Sequence, residues 1–80
     1  MRQLSIRDVQ ESVATIFNVS LADILGVRRT RKYTDPRQIA MWLCGELLTD
    51  KSLSQIARMF CRDHTTIGHG IRRGRQITAE

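Results

Sequence analysis

The sequence predicts an all-α domain of five short helices, the last two forming a helix-turn-helix. Three observations carry that prediction. Apolar residues recur at three- and four-residue spacing and nowhere alternate in the period-two pattern of a strand. Polar N-cap residues, most with an acid or glutamine three positions later, precede these apolar runs. Near its C-terminal end the chain carries two such runs with almost no linker between them, and the second is basic on its outer side.

The elements follow in order. Ser5, with Asp8 three residues on, announces a first helix from Ile6 to about Asn18, whose core stripe is Ile6, Val9, Val13, Ile16 and Phe17. Ser20 and Asp23 repeat the device for a short second helix ending at Gly26. Val27 to Thr34 holds four cations in five positions, Arg28 to Lys32, and lacks apolar periodicity, so it reads as an exposed loop. A solubilising loop and a nucleic-acid contact both fit it, and a compact Arg cluster suits phosphates or a narrow minor groove.

Asp35-Pro36 then reads as the start of a third helix, with Asp as cap, Pro at the first helical position and Gln38 completing the box. Ile39, Ala40, Trp42, Leu43 and Leu47 form its apolar face, and it ends near Thr49-Asp50. Ser52 and Gln55 cap a fourth helix of about two turns, carrying Leu53, Ile56, Ala57 and Phe60. Cys61-Arg62 is the turn, Asp63 caps, and the fifth helix runs from about His64 to Gln76, leaving Ile77 to Glu80 as a fraying end.

Length and charge limit what the chain can do. Eighty residues make one domain, residues 1–80, too small for a deep catalytic cleft. The net charge is +5, and of thirteen cationic side chains all but Lys32 and Lys51 are Arg, the residue suited to bidentate contact with phosphates and guanine edges. An anionic polymer is the expected partner. No apolar run approaches the ~20 residues that span a bilayer, and no leader resembles a signal peptide, so the expected setting is cytoplasmic, associated with the nucleoid, without membrane contact.

Cys44 falls on an apolar helix face, and a disulfide framework is not expected. Cys61, His64 and His69 make an incomplete zinc set, since a fourth ligand is missing and the two histidines diverge by about 140° on a helix. No metal, cofactor or catalytic residue is assigned.

The fifth helix carries the chemistry. At about 100° per residue, Ile67 and Ile71 mark the core direction, and the opposite direction collects Arg62, Thr65, His69, Arg72, Arg73 and Gln76, with Thr66 at the edge. No acid lies in that outer group. Asp63 stands at the helix start, where a carboxylate accepts backbone N–H bonds and meets the positive end of the dipole. Gly68, Gly70 and Gly74 weaken this helix by up to about 1 kcal/mol each relative to Ala. Two reasons for them stay open: a helix partly frayed until DNA orders it, or close packing against another helix, Gly70 above all.

These residues carry a family resemblance. Pro36-Arg37-Gln38-Ile39-Ala40-Met41-Trp42-Leu43, then Ser52-Leu53 with Ile56 and Phe60, then Arg62-Asp63-His64-Thr65-Thr66-Ile67 with His69 resemble the C-terminal DNA-binding domain of the bacterial replication initiator DnaA, over roughly residues 6 to 77. The resemblance implies a TrpR-like, DnaA C-terminal type of all-α fold, with the helix-turn-helix at about 53–76. It implies binding to double-stranded DNA at AT-rich boxes similar to TTATCCACA. By that resemblance Asp63, His64, Thr65 and Thr66 meet base edges and adjacent phosphates in the major groove, and His69 and Arg73 touch DNA further along. Arg29 enters the minor groove, and Arg37, Gln38 and the chain around Leu53 contact the backbone. Arg31, Arg62 and Arg72 complete the candidate set on charge and position.

Elementary chemistry fits these roles: a thymine methyl suits Thr65 or Thr66, cytosine N4 suits Asp63, His64 can donate to a purine N7 or a phosphate, and Arg29 suits a narrow AT-rich groove. Asp63 as a plain N-cap, and Arg72 or Arg73 as complements to the helix C-terminus, remain open. The chain departs from the family in three places: only Cys61 stands between Phe60 and Arg62 where glycine is common, the Leu47–Lys51 segment is one residue longer, and Gly45 replaces a frequent cation.

The function expected is sequence-specific duplex DNA binding in replication initiation or its regulation, by a monomer in isolation. No G-x-x-x-x-G-K-[ST] loop is present, so ATP hydrolysis is not expected of these residues, and an ATPase domain or a full-length initiator is the expected partner. A free-standing transcriptional regulator is one alternative. A protein-interaction adaptor, with Trp42, Met59 and other apolar groups in an exposed patch, is another.

Overall fold

The computed structural model describes residues 3–79. Five helices occupy them: α1 (Ile6–Ile16), α2 (Leu21–Leu25), α3 (Arg31–Leu47), α4 (Leu53–Met59) and α5 (His64–Ala79). No strand occurs among the described residues. The helix starts are chemically explicit. Ser5 with Asp8, Ser20 with Asp23 and Ser52 with Gln55 each form a complete capping box, in which the serine hydroxyl accepts from the third helical N–H and that residue's side chain accepts from the serine N–H.

α3 is the central element and packs most extensively on α5, then on α1 and α2. The contact with α5 is close because α5 presents glycine. A Cβ on Gly74 would lie 2.1 Å from the Gln38 carbonyl oxygen, and one on Gly70 would lie 2.2 Å from Met41 Sδ. Close packing therefore accounts for Gly70 and Gly74 in α5, which runs as one helix. Gly68, by contrast, meets only the end of Arg72 at 3.8 Å. The core beneath combines Val9, Val13, Ile24, Met41, Cys44, Ile56, Phe60 and Ile67. Gln10 is buried among them, its Nε2 donating to the Met59 carbonyl at 3.0 Å and so tying α1 to the end of α4.

Several expectations need correction. α1 stops at Ile16, and Ile16 is 76% exposed with Phe17 also exposed, while Gln10 and Ala14 take the inward places. The chain leaves α1 through a left-handed Asn18 (φ 56), with Asn18 N–H donating to the Thr15 carbonyl and Val19 N–H to that of Ala14. This pair is the Schellman arrangement, which turns the last residues away from the core. α3 begins at Arg31, so Asp35 is not its cap and Pro36 lies inside the helix. A first turn forms ahead of the proline: Tyr33 and Thr34 N–H groups donate to the Thr30 carbonyl, and Arg31 pairs with Asp35 at 3.3 Å. On the α3 face Leu47 is 57% exposed, whereas Met41, Cys44 and Leu48 are buried. α5 continues to Ala79, beyond the expected end at Gln76, with the Thr78 hydroxyl bonded to the Gly74 and Arg75 carbonyls.

Candidate nucleic-acid interface

α4 and α5 form the helix-turn-helix, and the turn is a second Schellman arrangement. Cys61 N–H donates to the Arg58 carbonyl at 3.1 Å, Arg62 N–H donates to that of Ala57 at 2.9 Å, and Cys61 adopts φ 57. That left-handed position is where glycine is least strained, which explains what the family's glycine does and what cysteine must tolerate here. Asp63 Oδ1 then accepts from the Thr66 N–H at 2.8 Å and starts α5. These bonds to Thr66 hold the Asp63 carboxyl below its ordinary value, with a smaller contribution from the nearby His64. His64 Nε2 shares a 2.6 Å hydrogen bond with Ser54 Oγ, joining α5 to α4.

Beyond this cap, Thr65, Thr66, His69, Arg72, Arg75 and Gln76 are exposed, and no acid occurs anywhere in α5. Arg73 is half-buried, with Nη1 at 3.3 Å from Gln76 Oε1. Leu53 is exposed at the start of α4. Gln38 is half-buried in α3, where its carbonyl faces Gly74.

The basic segment before α3 is ordered by an aromatic ring. Arg28 lies 5.3 Å and Lys32 5.7 Å from the centre of the Tyr33 ring, and Arg28 Nη1 also donates to the Tyr33 hydroxyl at 3.1 Å. Arg29 between them is exposed and makes no hydrogen bond or ion pair among the described residues. Arg31, with a side chain 74% exposed, begins α3 beside Lys32. Two cations in the first turn of a helix oppose the helix dipole; Arg31 is offset by its pair with Asp35, and Lys32 by the Tyr33 ring.

Arg37 and Arg62 are placed otherwise than expected. Arg37 is 6% exposed; its Nε donates to the Ile24 carbonyl at 3.0 Å, Nη2 to Asp23 at 2.8 Å and Nη1 to Arg28 at 3.0 Å. Its head is thus turned into the protein rather than toward a DNA backbone. Arg62 precedes α5 instead of joining its outer face, and its Nη1 donates to the Phe60 carbonyl at 2.9 Å while Nη2 donates to that of Gly26. Burial, then the neighbouring Arg62 charge, lowers the Arg37 pKa from the usual guanidinium value, and Asp23 partly offsets this.

The candidates therefore fall into four groups: the α5 face with its Asp63 cap, the Arg29–Arg31 segment, Gln38 and Leu53 on α3 and α4, and two inward arginines. Sequence reasoning did not single out Ser54 or Arg75, and it read Arg28 only as one of the Arg28–Lys32 cluster. The same helical projection puts Arg75 about 60° from the Ile67–Ile71 direction and so did not mark it, and no local spacing pairs Ser54 with His64 across the turn or Arg28 with Tyr33.

The remaining surface offers little chemistry. Cys44 and Cys61 are free thiols, and burial pushes Cys44 up to about 12. No group of three or more His, Cys, Asp or Glu suited to a metal ion occurs among the described residues. No helix there is long and apolar enough to cross a membrane. Trp42 and Met59 are half-buried, Met59 against the core, so they do not form the exposed patch that an adaptor would use.

Comparison with known proteins adds an independent line. A family model described as the bacterial dnaA protein helix-turn-helix matches residues 6–73. The chain is 45% identical over 73 residues to the chromosomal replication initiator protein DnaA of Ruegeria sp. (strain TM1040), covering 90% of this chain and 15% of that protein. It is 43% identical over 79 residues to that of Cereibacter sphaeroides (strain ATCC 17029 / ATH 2.4.9), covering 98% and 17%. It is 45% identical over 73 residues to that of Herminiimonas arsenicoxydans, covering 90% and 16%. The chain thus spans about one sixth of the length of these relatives.

Proposed function

The chain belongs to the bacterial DnaA helix-turn-helix family, and on that premise we propose that it binds double-stranded DNA in a sequence-specific way, at sites resembling DnaA boxes. The binding serves replication initiation or its regulation, and ATP hydrolysis is left to other residues than these. The observation that carries the reading is the exposed, acid-free face of α5 behind a tight turn. A helix so placed enters the major groove with its N-terminal half against base edges.

The residues divide the work by chemistry. Thr65 and Thr66 bring a methyl and a hydroxyl to thymine methyls and neighbouring acceptors. His69 donates further along the groove, and Arg72 with Arg73 meets phosphates or guanine edges. Asp63 serves as cap through Oδ1, and a carboxylate has lone pairs enough to accept from cytosine N4 as well. His64, held by Ser54, presents an oriented ring. Arg29, without a hydrogen bond or ion pair among the described residues, suits a narrow AT-rich minor groove, and Arg31 with Lys32 suits the flanking phosphates.

The test is a matrix of variants against single-base-pair changes in a DnaA-box duplex, read by fluorescence anisotropy. Thr66→Ala and His69→Ala should each weaken box binding by ~1–3 kcal/mol and relax preference at one base pair. Equal weakening on every duplex would assign these side chains to the backbone and remove α5 as the base reader.

A further inference from the structure

The chain leading into Arg29 is pinned at two points by arginine heads. At its start, Arg62 reaches from the helix-turn-helix turn to the Gly26 carbonyl and, at 3.4 Å, to that of Leu25. The same guanidinium donates to the Phe60 carbonyl at 2.9 Å, so one planar group spans the end of α2 and the turn itself. Two residues further on, Arg37 joins the Asp23 and Ile24 carbonyls to the carbonyl of Arg28, the residue just before Arg29. Between these points lies only Val27, which is exposed, and the Arg28 side chain is held further by the Tyr33 ring and hydroxyl.

Capping of α2 alone does not require this arrangement. A single cation near the last carbonyls satisfies them and complements the dipole. Here two arginines converge on consecutive carbonyls of a five-residue helix, although their like charges repel. What the second one adds is a bond to another element. The Phe60 carbonyl belongs to the turn whose next residues are Cys61, Arg62 and the Asp63 cap of α5, so a shift of the Arg29 segment relative to α5 breaks the Arg62 bonds on one side or the other.

We infer that Arg62, with Arg37, is a positioning pair that sets where Arg29 stands relative to α5, so that one protein reads the minor groove and the major groove in a single register. The inference rests on the DNA-binding reading above and assigns neither arginine a contact with DNA. Arg62 provides the bond to the turn, and Arg37 holds the Arg28 carbonyl, just before Arg29, against α3.

Duplex analogues separate the two readings. In a box duplex, 2,6-diaminopurine for adenine adds an amine to the minor groove alone, and 7-deazapurine removes an acceptor from the major groove alone. The full chain is expected to lose several-fold in affinity with either analogue. Arg62→Gln should lose most of the diaminopurine penalty, as Arg29→Ala does, and keep the deazapurine penalty. Without DNA, 15N relaxation should show greater mobility at residues 26–29 in Arg62→Gln than in the parent chain.

Arg62→Gln with both penalties intact, or with both diminished in equal proportion, overturns the inference, the second result marking Arg62 as a general support of the fold. Should circular dichroism show Arg62→Gln unfolded, Arg62→Lys decides by the same two readouts. Its compact ammonium keeps the charge but cannot span the α2 carbonyls and the Phe60 carbonyl together. If the parent chain shows neither penalty, the DNA reading fails, and the relaxation measurement still judges the clamp: unchanged mobility at residues 26–29 overturns it.

Discussion

Asp63 and Cys61 show how much of the recognition turn rests on single residues. Hydrogen bonds to Thr66 lower the Asp63 pKa from the ordinary carboxylate value, so its stabilising contribution is complete above that value and is lost as pH falls through the lowered one. Acid unfolding followed by circular dichroism should therefore show Asp63→Asn to be less sensitive to pH below about 4, because Asn caps without titrating. An unchanged acid limb would mean that the cap bond contributes nothing. Cys61 occupies a left-handed position that costs an L-residue about 1–2 kcal/mol, partly matched by the entropy glycine loses on folding. Cys61→Gly should raise the urea midpoint by an amount worth up to about 1 kcal/mol; a lower midpoint would contradict the strain at this turn. The serine and Asp63 caps were legible in the sequence because a cap acts over three residues. Arg37 and Arg62 were not, because a guanidinium bonded to carbonyls up to 37 residues away has the same local spacing as one that faces phosphate.

Among the elements, α3 and α5 share the decisive contact, and glycine controls it. Gly74→Ala would put a Cβ 2.1 Å from the Gln38 carbonyl oxygen, an overlap with backbone that only a shift of one helix relieves. It should destabilise by about 1–3 kcal/mol or more. Gly68→Ala meets only the flexible end of Arg72 at 3.8 Å and should stabilise by up to about 1 kcal/mol through helix propensity. Thermal unfolding of the two variants checks the pair: similar shifts of the same sign would remove packing as the reason for Gly74. Helical periodicity placed α5 and its apolar side correctly, yet it could not distinguish a glycine that packs from one that is merely tolerated. The start of α3 escaped for another reason. Asp35-Pro36 is a strong local start signal, but Tyr33, gathered between Arg28 and Lys32, and the Arg31–Asp35 pair support a turn ahead of it.

At the scale of the molecule, a small helical core carries α5 and the Arg29 segment, with Arg62 bonded to the carbonyls of both the turn and the end of α2. The core holds the outer face of α5 in place, and the net charge of +5 supplies attraction that is independent of sequence. Charge alone would make a general polyanion binder, whereas Thr65, Thr66 and His69 on a fixed helix make discrimination possible. The most direct measurement is fluorescence anisotropy with a DnaA-box duplex, a scrambled duplex of the same composition and the box single strand, each across a salt series. Both duplexes should weaken steeply as salt rises, while the box stays at least about ten to a hundred times tighter than the scrambled duplex and the single strand falls below it. Equal affinity for the box and scrambled duplexes at moderate salt would contradict sequence-specific binding.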